Sequence, residues 1–447
     1  MNDLRIKGRI IRQGEKAFDK AVLATSFNRI DPGSRPALLA EPLNVEDIIT
    51  LLKYAQSRNL KISVCSGGHS WSQNHIREGS LLIDLCHFKQ YAIDKENMQA
   101  TAGPAVGGSV LLMALWKQGL FFPAGHCKGV CIGGYLLQGG FGWNSRRLGM
   151  ACESVLGLDI VTADGHLVHA SETENTDLWW AARGAGAGFF GIVVRFHLRI
   201  YPKPKFSGNL MHVFSFEHLE EVLRWAYTQG PKIPETVEFQ MLMSRKTVRI
   251  LGPGIEAVAP IFAETKAELE EARAFMEDSP IKHLASFRTP YLRSGMRLKY
   301  NFAMTHYPNK HGWGVDNMWT GASVEELIPF FKGMVATLPP PPAHILWLNW
   351  YPPQRRTDMA FSMEDNIYIA LYGAWKSPKD TPLYGHWASD WMKKMAHLES
   401  GIQLADEGLH KRTSHFVKPV VLQQLQAIRQ KRDAEGRFFE WHSMPTF

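Results

Sequence analysis

Two reactive side chains lie in glycine-rich surroundings that could hold them against a ligand. His69 sits in the turn Ser66-Gly67-Gly68-His69-Ser70, and Cys127, 58 residues later, sits in Gly125-His126-Cys127-Lys128-Gly129-Val130-Cys131-Ile132-Gly133-Gly134. An imidazole nitrogen and a thiolate are both nucleophiles, and the neighbours His126 and Lys128 would favour ionisation of the thiol. Glycines occupy positions 125, 129, 133, 134, 139, 140 and 142, and a further cluster follows at 184, 186 and 188. Such density implies backbone that comes close to something, because an ordered glycine costs entropy that a contact or conformation must offset. A dinucleotide carries a pyrophosphate that must be met by backbone N–H groups or cations, and glycine turns permit that approach. None of these clusters reads G-x-G-x-x-G between a first strand and helix, so a Rossmann-type site is not expected. Taken singly, a Gly-Gly-His turn also suits a solvent-facing histidine, and a lone cysteine a small buried hydrophobe.

The elements that would position these residues alternate at first. Asn44 caps a helix with Val45, Ile48, Ile49, Leu52 and Ala55 on one face. A strand over 61–65 then delivers the chain into the first glycine turn, a second strand covers 81–85, and a helix covers 106–116. Strands over 156–162 and 167–170 flank the turn Ala163-Asp164-Gly165, a short helix spans 178–182, and 192–200 alternates with Val194, Phe196, Leu198 and Ile200 on one face. Tyr201-Pro202-Lys203-Pro204 punctuates the chain, which places a domain boundary there. Beyond it, helices over 217–228, 265–276, 323–337 and 384–399 interleave with strands over 236–243, 247–251, 344–350 and 366–375, an α+β pattern with an antiparallel sheet.

At 447 residues the chain exceeds one ordinary core, so two domains are expected. Hydrophobic content of 45% with 21% charged residues is that of a folded globular protein. The net charge of +7 comes from basic residues spread along the chain, without the clusters that phosphate backbones select, so no nucleic-acid partner is expected. The first twenty residues lack a signal-like apolar core and no stretch is long enough to span a bilayer. The expectation is a cytoplasmic protein starting at Met1 with no membrane partner. Cysteines at 65, 86, 127, 131 and 152 are odd in number and irregular in spacing, which argues against a disulfide framework. Cys127 and Cys131 have no second pair or histidine-rich partner at ligand spacing, so no metal is expected.

The segment from about Arg35 to Pro204 resembles the PCMH-type flavin-binding domain of the vanillyl-alcohol oxidase superfamily, and within it the berberine bridge enzyme-like FAD-linked oxidases. Cys127-Lys128-Gly129-Val130-Cys131-Ile132-Gly133-Gly134-Tyr135-Leu136-Leu137-Gln138-Gly139-Gly140 resembles that family's linkage loop. Leu156-Gly157-Leu158-Asp159-Ile160-Val161-Thr162-Ala163-Asp164-Gly165 and Asp177-Leu178-Trp179-Trp180-Ala181-Ala182-Arg183-Gly184 resemble the stretches that follow it. The tail from Leu425, ending Arg432-Asp433-Ala434-Glu435-Gly436-Arg437-Phe438, resembles the segment that returns to the flavin domain. The resemblance implies an α+β fold with a two-subdomain FAD-binding domain over 1–204, a substrate domain with an antiparallel sheet over 205–405, and a returning segment over 406–447. It implies FAD attached twice, His69 to the 8α carbon and Cys127 to ring C6. Ser66, Gly67, Gly68, Ser70, Gly125, Gly133, Gly134, Gly139, Gly140, Gly142 and Ile192 are then cofactor contacts. The implied activity is hydride transfer from a small-molecule alcohol, amine or phenol to flavin N5, with dioxygen as acceptor giving hydrogen peroxide, in a monomer or homodimer. Val130 resembles the oxygen-reactive version of its position, although a valine there equally suits inward packing. A dehydrogenase with another acceptor, or a flavin-bearing binding protein without turnover, are the alternatives.

The sequence departs from that family in three places. Cys65 stands where an arginine is usual. Gln403 and Ala405 stand where many relatives have a Tyr-x-Asn strand, and Arg355-Arg356 lies near Phe361 where others have a carboxylate. A replacement base must reach the substrate proton at hydrogen-bond distance, and His306, Tyr307, Tyr351, Asp406 and His410 are the candidates. Alternatively the substrate is already an anion, bound by Arg355 or Arg356. Trp347, Asn349 and Tyr351 share one face of an expected strand and are candidates for the pocket wall.

Overall fold

The computed structural model describes residues 4–247, 252–353 and 356–445. Its amino-terminal part builds two main sheets over a shared core, beside a two-stranded pairing of Leu120–Phe121 with Tyr201–Pro202. The first is mixed, with strands ordered Arg9–Arg12, Leu38–Glu41, Leu81–Asp84, Ile62–Cys65; the last three run parallel. Helix Val45–Ser57 makes the crossover between two of them, and Asn44 accepts a hydrogen bond from the Asp47 amide at 2.9 Å. This cap satisfies one of the amides that a helix start leaves without a partner. Ile48, Leu51, Leu52 and Ala55 are buried beneath the helix, as its apolar spacing requires.

The second sheet is antiparallel, ordered Tyr91–Asp94, Gln99–Ala102, Gly191–Arg199, Val155–Thr162, Leu167–Ser171. Helix Gly108–Lys117 and the carboxyl-terminal helix Pro419–Arg432 bury Leu111, Leu115, Leu422 and Leu425 in the same core as both sheets. The chain end returns further: the Ile62 amide donates to Arg437 O at 2.8 Å, and Ile62 pairs with Phe438 in a parallel bridge.

Among the described residues a third sheet has eight strands, all antiparallel. Its order is Phe287–Arg288, Phe206–Phe214, Gly254–Ala263, Gln240–Ser244, His344–Asn349, Ile367–Trp375, Gly312–Thr320, with Leu292–Arg293 sharing the edge of Phe206–Phe214. Helices Leu219–Gln229, Lys266–Glu277, Val324–Ala336 and Trp387–Lys394 cover one face. The α+β class and the antiparallel sheet are as expected.

The period of two along each strand decides what the other face offers. On Ile367–Trp375, Ile367, Ile369 and Leu371 join the core under the helices, while Tyr368, Ala370 and Tyr372 point the opposite way into an aromatic cluster with Trp71 and Trp313. Several expectations are corrected. The helix expected over 384–399 is confined to Trp387–Lys394, and the strand expected from 236 begins at Gln240. Of the strand expected over 247–251, positions 248–251 lie outside the described residues. Strands Phe206–Phe214, Gly254–Ala263 and Gly312–Thr320 and helix Met296–His306 had no counterpart in the sequence reading. All ten positions of Gly254–Ala263 are buried, and a strand covered on both faces loses the alternation that would reveal it.

Candidate active site

A deep cavity runs between the amino-terminal part and the uncovered face of the large sheet, and both nucleophile candidates line it. The strand Ile62–Cys65 ends in the glycine turn, where Gly68 has a φ of +64° and a Cβ would fall 1.7 Å from Thr25 O. Only glycine avoids both the strain and the clash. The turn sets the His69 ring against Phe27, stacked with centroids 4.4 Å apart. Burial lowers the His69 imidazole to about 4, so the ring is neutral and a nitrogen lone pair is available near neutrality. The loop after Cys127 presses on the same ring: a Cβ on Gly129 would lie 2.8 Å from His69 Nε2.

Cys127 behaves differently from the sequence expectation. Burial, with the Asp406 carboxylate adding to it, pushes its thiol far up. The two neighbours that would have favoured ionisation are engaged elsewhere. His126 Nε2 contacts the buried Glu238 carboxylate, and Lys128 Nζ donates to Asn301 Oδ1 at 2.6 Å.

Above these residues, Asp406 is half-buried and accepts three hydrogen bonds: Trp71 Nε1 donates to Oδ1 at 2.7 Å, and the phenols of Tyr368 and Tyr372 donate to Oδ2 at 2.6 and 2.9 Å. Burial raises the Asp406 carboxyl despite these donors, and burial with Asp406 beside them holds both phenols well above the usual tyrosine value. The next residue, Glu407, turns the other way, to Ser72 Oγ and Asn74 Nδ2 beyond the histidine turn. Adjacent carboxylates thus tie the 404–409 segment to the turn and leave one acid facing the cavity. A phenol that gives its hydrogen to a carboxylate keeps its oxygen lone pairs free to accept another proton, so Tyr368 or Tyr372 with Asp406 can relay a proton.

The cavity also brings together His306 and Tyr307 from the end of helix Met296–His306. His306 Nε2 meets Glu256 Oε2 at 3.0 Å. Tyr307 packs 5.2 Å from the Tyr372 ring and 6.3 Å from Trp71, centroid to centroid. Lys299, one helical face along, is buried with Nζ donating to Gly208 O at 2.5 Å and Asn209 Oδ1 at 2.7 Å, and burial lowers it to about 7. The sequence reading missed Tyr368, Tyr372 and Lys299. Two tyrosines four apart in an apolar strand were the available signal for the first two.

Other expected site residues lie away from the cavity. Trp347 and Asn349 face the helices, the indole donating to Asn349 Oδ1 at 2.9 Å and Asn349 Nδ2 to Ala226 O at 3.1 Å; their strand neighbours Leu346 and Leu348 line the cavity instead. Tyr351 has a φ of +50°, leaves the strand and packs on Gly230. His410 is exposed beside His442. Arg356 is held between Glu153 and Glu364 over the Trp350 ring, and Arg355 lies outside the described residues. Among the described residues no arginine lines the cavity, whose one lysine is Lys299, so the anion-binding idea loses the arginine it named.

The cofactor-contact expectations divide in the same way. Ser66, Gly67, Gly68, His69, Ser70, Gly125, Cys127, Val130, Gly133 and Gly134 line the cavity. Gly139, Gly140 and Gly142 are instead close-packing positions against Phe361, Ala151 and Tyr135. Ile192 is in the core, while Gly191 and Val193, on the opposite strand face, line the cavity.

The FAD binding domain family matches residues 36–171. The FAD-linked oxidoreductase nodO of Hypoxylon pulicicidum is 31% identical over 426 residues, covering 92% of each chain. Among solved structures, 6-hydroxy-D-nicotine oxidase from Arthrobacter nicotinovorans superposes with a TM-score of 0.83 at 20% identity, over 99% of this chain and 98% of that one. The BBE-like 1 protein of Physcomitrella patens superposes with a TM-score of 0.82 at 20% identity, over 97% and 96%. These two show the same fold. No helix among the described residues is long and apolar enough to cross a membrane.

Proposed function

The chain belongs to the FAD-linked oxidoreductases, and on that premise we propose that it is an oxidase whose FAD is bonded to both His69 and Cys127 and whose substrate loses a proton to the Tyr368–Asp406–Tyr372 cluster. The observation that carries this reading is the convergence of both nucleophiles and that cluster on one cavity. The residues suit the group: a Cβ on Gly134, which lines the cavity, would meet no protein atom within 4 Å, so the absent side chain leaves room for a ligand. The donor set is a neutral imidazole and a thiol, both competent to form carbon bonds once the thiol proton is removed.

When bound, FAD supplies a hydride acceptor whose electrons pass to dioxygen with release of hydrogen peroxide. The chain's own residues do the rest. Aromatic side chains of Trp71, Tyr307, Tyr368 and Tyr372 wall the reacting end and exclude water from it, which strengthens the electrostatics inside. A substrate hydroxyl or amine gives its proton to a tyrosine Oη as the tyrosine proton passes to Asp406 Oδ2. A carboxyl raised by burial is a better proton acceptor near neutral pH than an ordinary aspartate. An alcohol, amine or phenol is therefore the substrate class, and Val130 at the cavity wall supports dioxygen as the acceptor. The five cysteines form no disulfide, which suits a reducing compartment and supports a cytoplasmic location.

The test is direct. Purified protein is precipitated with acid and the pellet digested; flavin mass on the peptides containing His69 and Cys127 is expected, with peroxide released under air when an alcohol, amine or phenol bleaches the flavin anaerobically. Pigment that washes entirely into the supernatant would sink the attachment, and bleaching without peroxide would replace the oxidase by a dehydrogenase.

A further inference from the structure

On the second sheet, remote in chemistry from the cavity, three adjacent strands aim their side chains at one point. Asp159 on Val155–Thr162 is paired directly with His169 on Leu167–Ser171. Its diagonal neighbour on the other side is His197 on Gly191–Arg199, because Asp159 pairs with Arg195 and Gly157 with His197. His169 Nδ1 and His197 Nε2 both approach the same oxygen, Asp159 Oδ1, at 2.9 and 3.1 Å. We propose that Asp159, His169 and His197 form a surface site for a divalent transition-metal ion.

The argument is geometric. Nitrogen and oxygen ligands sit about 2.0–2.2 Å from such an ion, so neighbouring ligands at right angles are about 3.0 Å apart. Both imidazole–carboxylate separations match that spacing, and the ligand atoms of all three residues lie within 4.8 Å of one another. The rings stand at 80° with centroids 5.2 Å apart, edge to face, so their nitrogens converge rather than stack. Side-chain exposures of 40% for His169, 31% for His197 and 21% for Asp159 leave the outer side open for water ligands. Two imidazoles with one carboxylate favour zinc, copper, nickel or cobalt over magnesium or calcium, which prefer all-oxygen sites.

The strands are built for this convergence. The pairing of Gly191–Arg199 with Val155–Thr162 shifts register between Val193 and Arg195 and again between His197 and Leu198, irregularities that re-aim side chains. Gly157 leaves the His169 ring its place: a Cβ there would fall 2.9 Å from His169 Cε1. Arg195 lies 3.7 Å from the other carboxylate oxygen, Oδ2, and orients Asp159 with Oδ1 left to the ion. No sequence spacing reveals the site, since its ligands meet only through strand pairing. Binding moves no electrons; each imidazole presents the lone pair of the nitrogen that faces the ion and carries its proton on the nitrogen that faces away.

The experiment uses tag-free holoenzyme titrated with ZnCl2 by calorimetry, and with Cu2+ for electron paramagnetic resonance, in a Cys86→Ser background that disables the other mixed cluster, Glu41, Cys86 and His87. One saturable ion per chain is expected, with hyperfine splitting from two nitrogens. Losing an outer partner of a metal ligand costs about 10- to 100-fold in affinity, so His169→Gln and His197→Gln are each expected to weaken binding at least tenfold. Flavin absorbance and circular dichroism verify folding. Gly157→Ala, which keeps every ligand but crowds His169, is expected to weaken zinc as well. Unchanged affinity in both histidine variants, absent nitrogen splitting, or no saturable binding by the parent would each overturn the proposal.

Discussion

Tyr368 and Asp406 are joined by a phenol–carboxylate hydrogen bond of 2.6 Å inside the cavity, although one lies at the start of a strand and the other in a one-turn helix near the carboxyl end. Because the proposed relay ends on this carboxylate, Asp406→Asn is expected to lower kcat by about 10²- to 10⁴-fold, the usual worth of a positioned base. Flavin content and the flavin spectrum stay unchanged. Tyr368→Phe and Tyr372→Phe separate the two relays: the tyrosine that touches the substrate loses kcat, and the other mainly shifts the pH profile. Stopped-flow bleaching of the flavin under nitrogen reads both.

The same cluster fixes a pH dependence. Burial raises Asp406 above the ordinary 3.8, with Tyr368, Tyr372 and Trp71 donating to it and Cys127, Tyr307 and His126 as its other ionisable neighbours. Protonated Asp406 cannot accept a proton, so reductive bleaching is expected to fall on the acid side, with its inflection above that of an exposed aspartate. The stability sign is opposite. A carboxyl raised in the fold stabilises the folded state most below its unfolded value, and that contribution is lost as pH rises through the raised one. Asp406→Asn should therefore lose the acid limb of the rate profile while unfolding no earlier than the parent at pH 8. A rate profile whose acid limb survives in the Asn variant would assign the limb to another group.

Much of the first half of the chain was legible. Helix Val45–Ser57 was readable from its cap and its period, and the turn bearing His69 from its glycines. The cavity roof was harder for physical reasons. Helix Met296–His306 buries Lys299 and His306 alongside Met296 and Tyr300, so its inner face does not read as apolar. Asp406 was named as a candidate from its type alone, but Trp71, one of its donors, comes from 335 residues away. Trp347 and Asn349 were correctly placed on one face of one strand, and only the sheet's packing shows that this face meets helices rather than the cavity.

The two proposed attachment points are expected to differ in how they fail. His69 is neutral above about 4 and keeps its lone pair across the working range, whereas the Cys127 thiol is held protonated by burial. Cys127→Ala should leave flavin bonded through His69 alone, and His69→Ala should leave less flavin bonded, because the thiol reacts only as thiolate. The double variant should release all pigment on acid precipitation. Peptide masses of the four proteins check this ordering.

Gly68→Ala tests the turn without touching a reactive atom. A Cβ at a φ of +64° would be strained and would fall 1.7 Å from the Thr25 backbone oxygen. The expected cost is about 1–3 kcal/mol from the backbone conformation, with the clash in addition. The variant should unfold at lower denaturant than the parent and carry less covalent flavin at His69, measured on the same preparation.

Arg412 holds the segment that carries Asp406. Its guanidinium donates to Asp316 Oδ2 at 2.8 Å, to Asp316 Oδ1 at 3.0 Å and to Glu399 Oε2 at 2.6 Å, and the arginine side chain is 6% exposed against 0% for Asp316. Breaking a buried pair from one side leaves an uncompensated charge, which costs about 3–5 kcal/mol. Arg412→Ala strands two carboxylates, both raised by burial, beside the loop that positions Asp406. The expected outcome is a lower unfolding midpoint at pH 8 that recovers partly as pH falls and Asp316 and Glu399 take up protons. Hydrogen exchange should show faster opening over 399–415 than over the five-stranded sheet. A uniform loss of protection across both regions would mean that Arg412 supports the whole fold rather than the segment beneath which Asp406 meets its tyrosines.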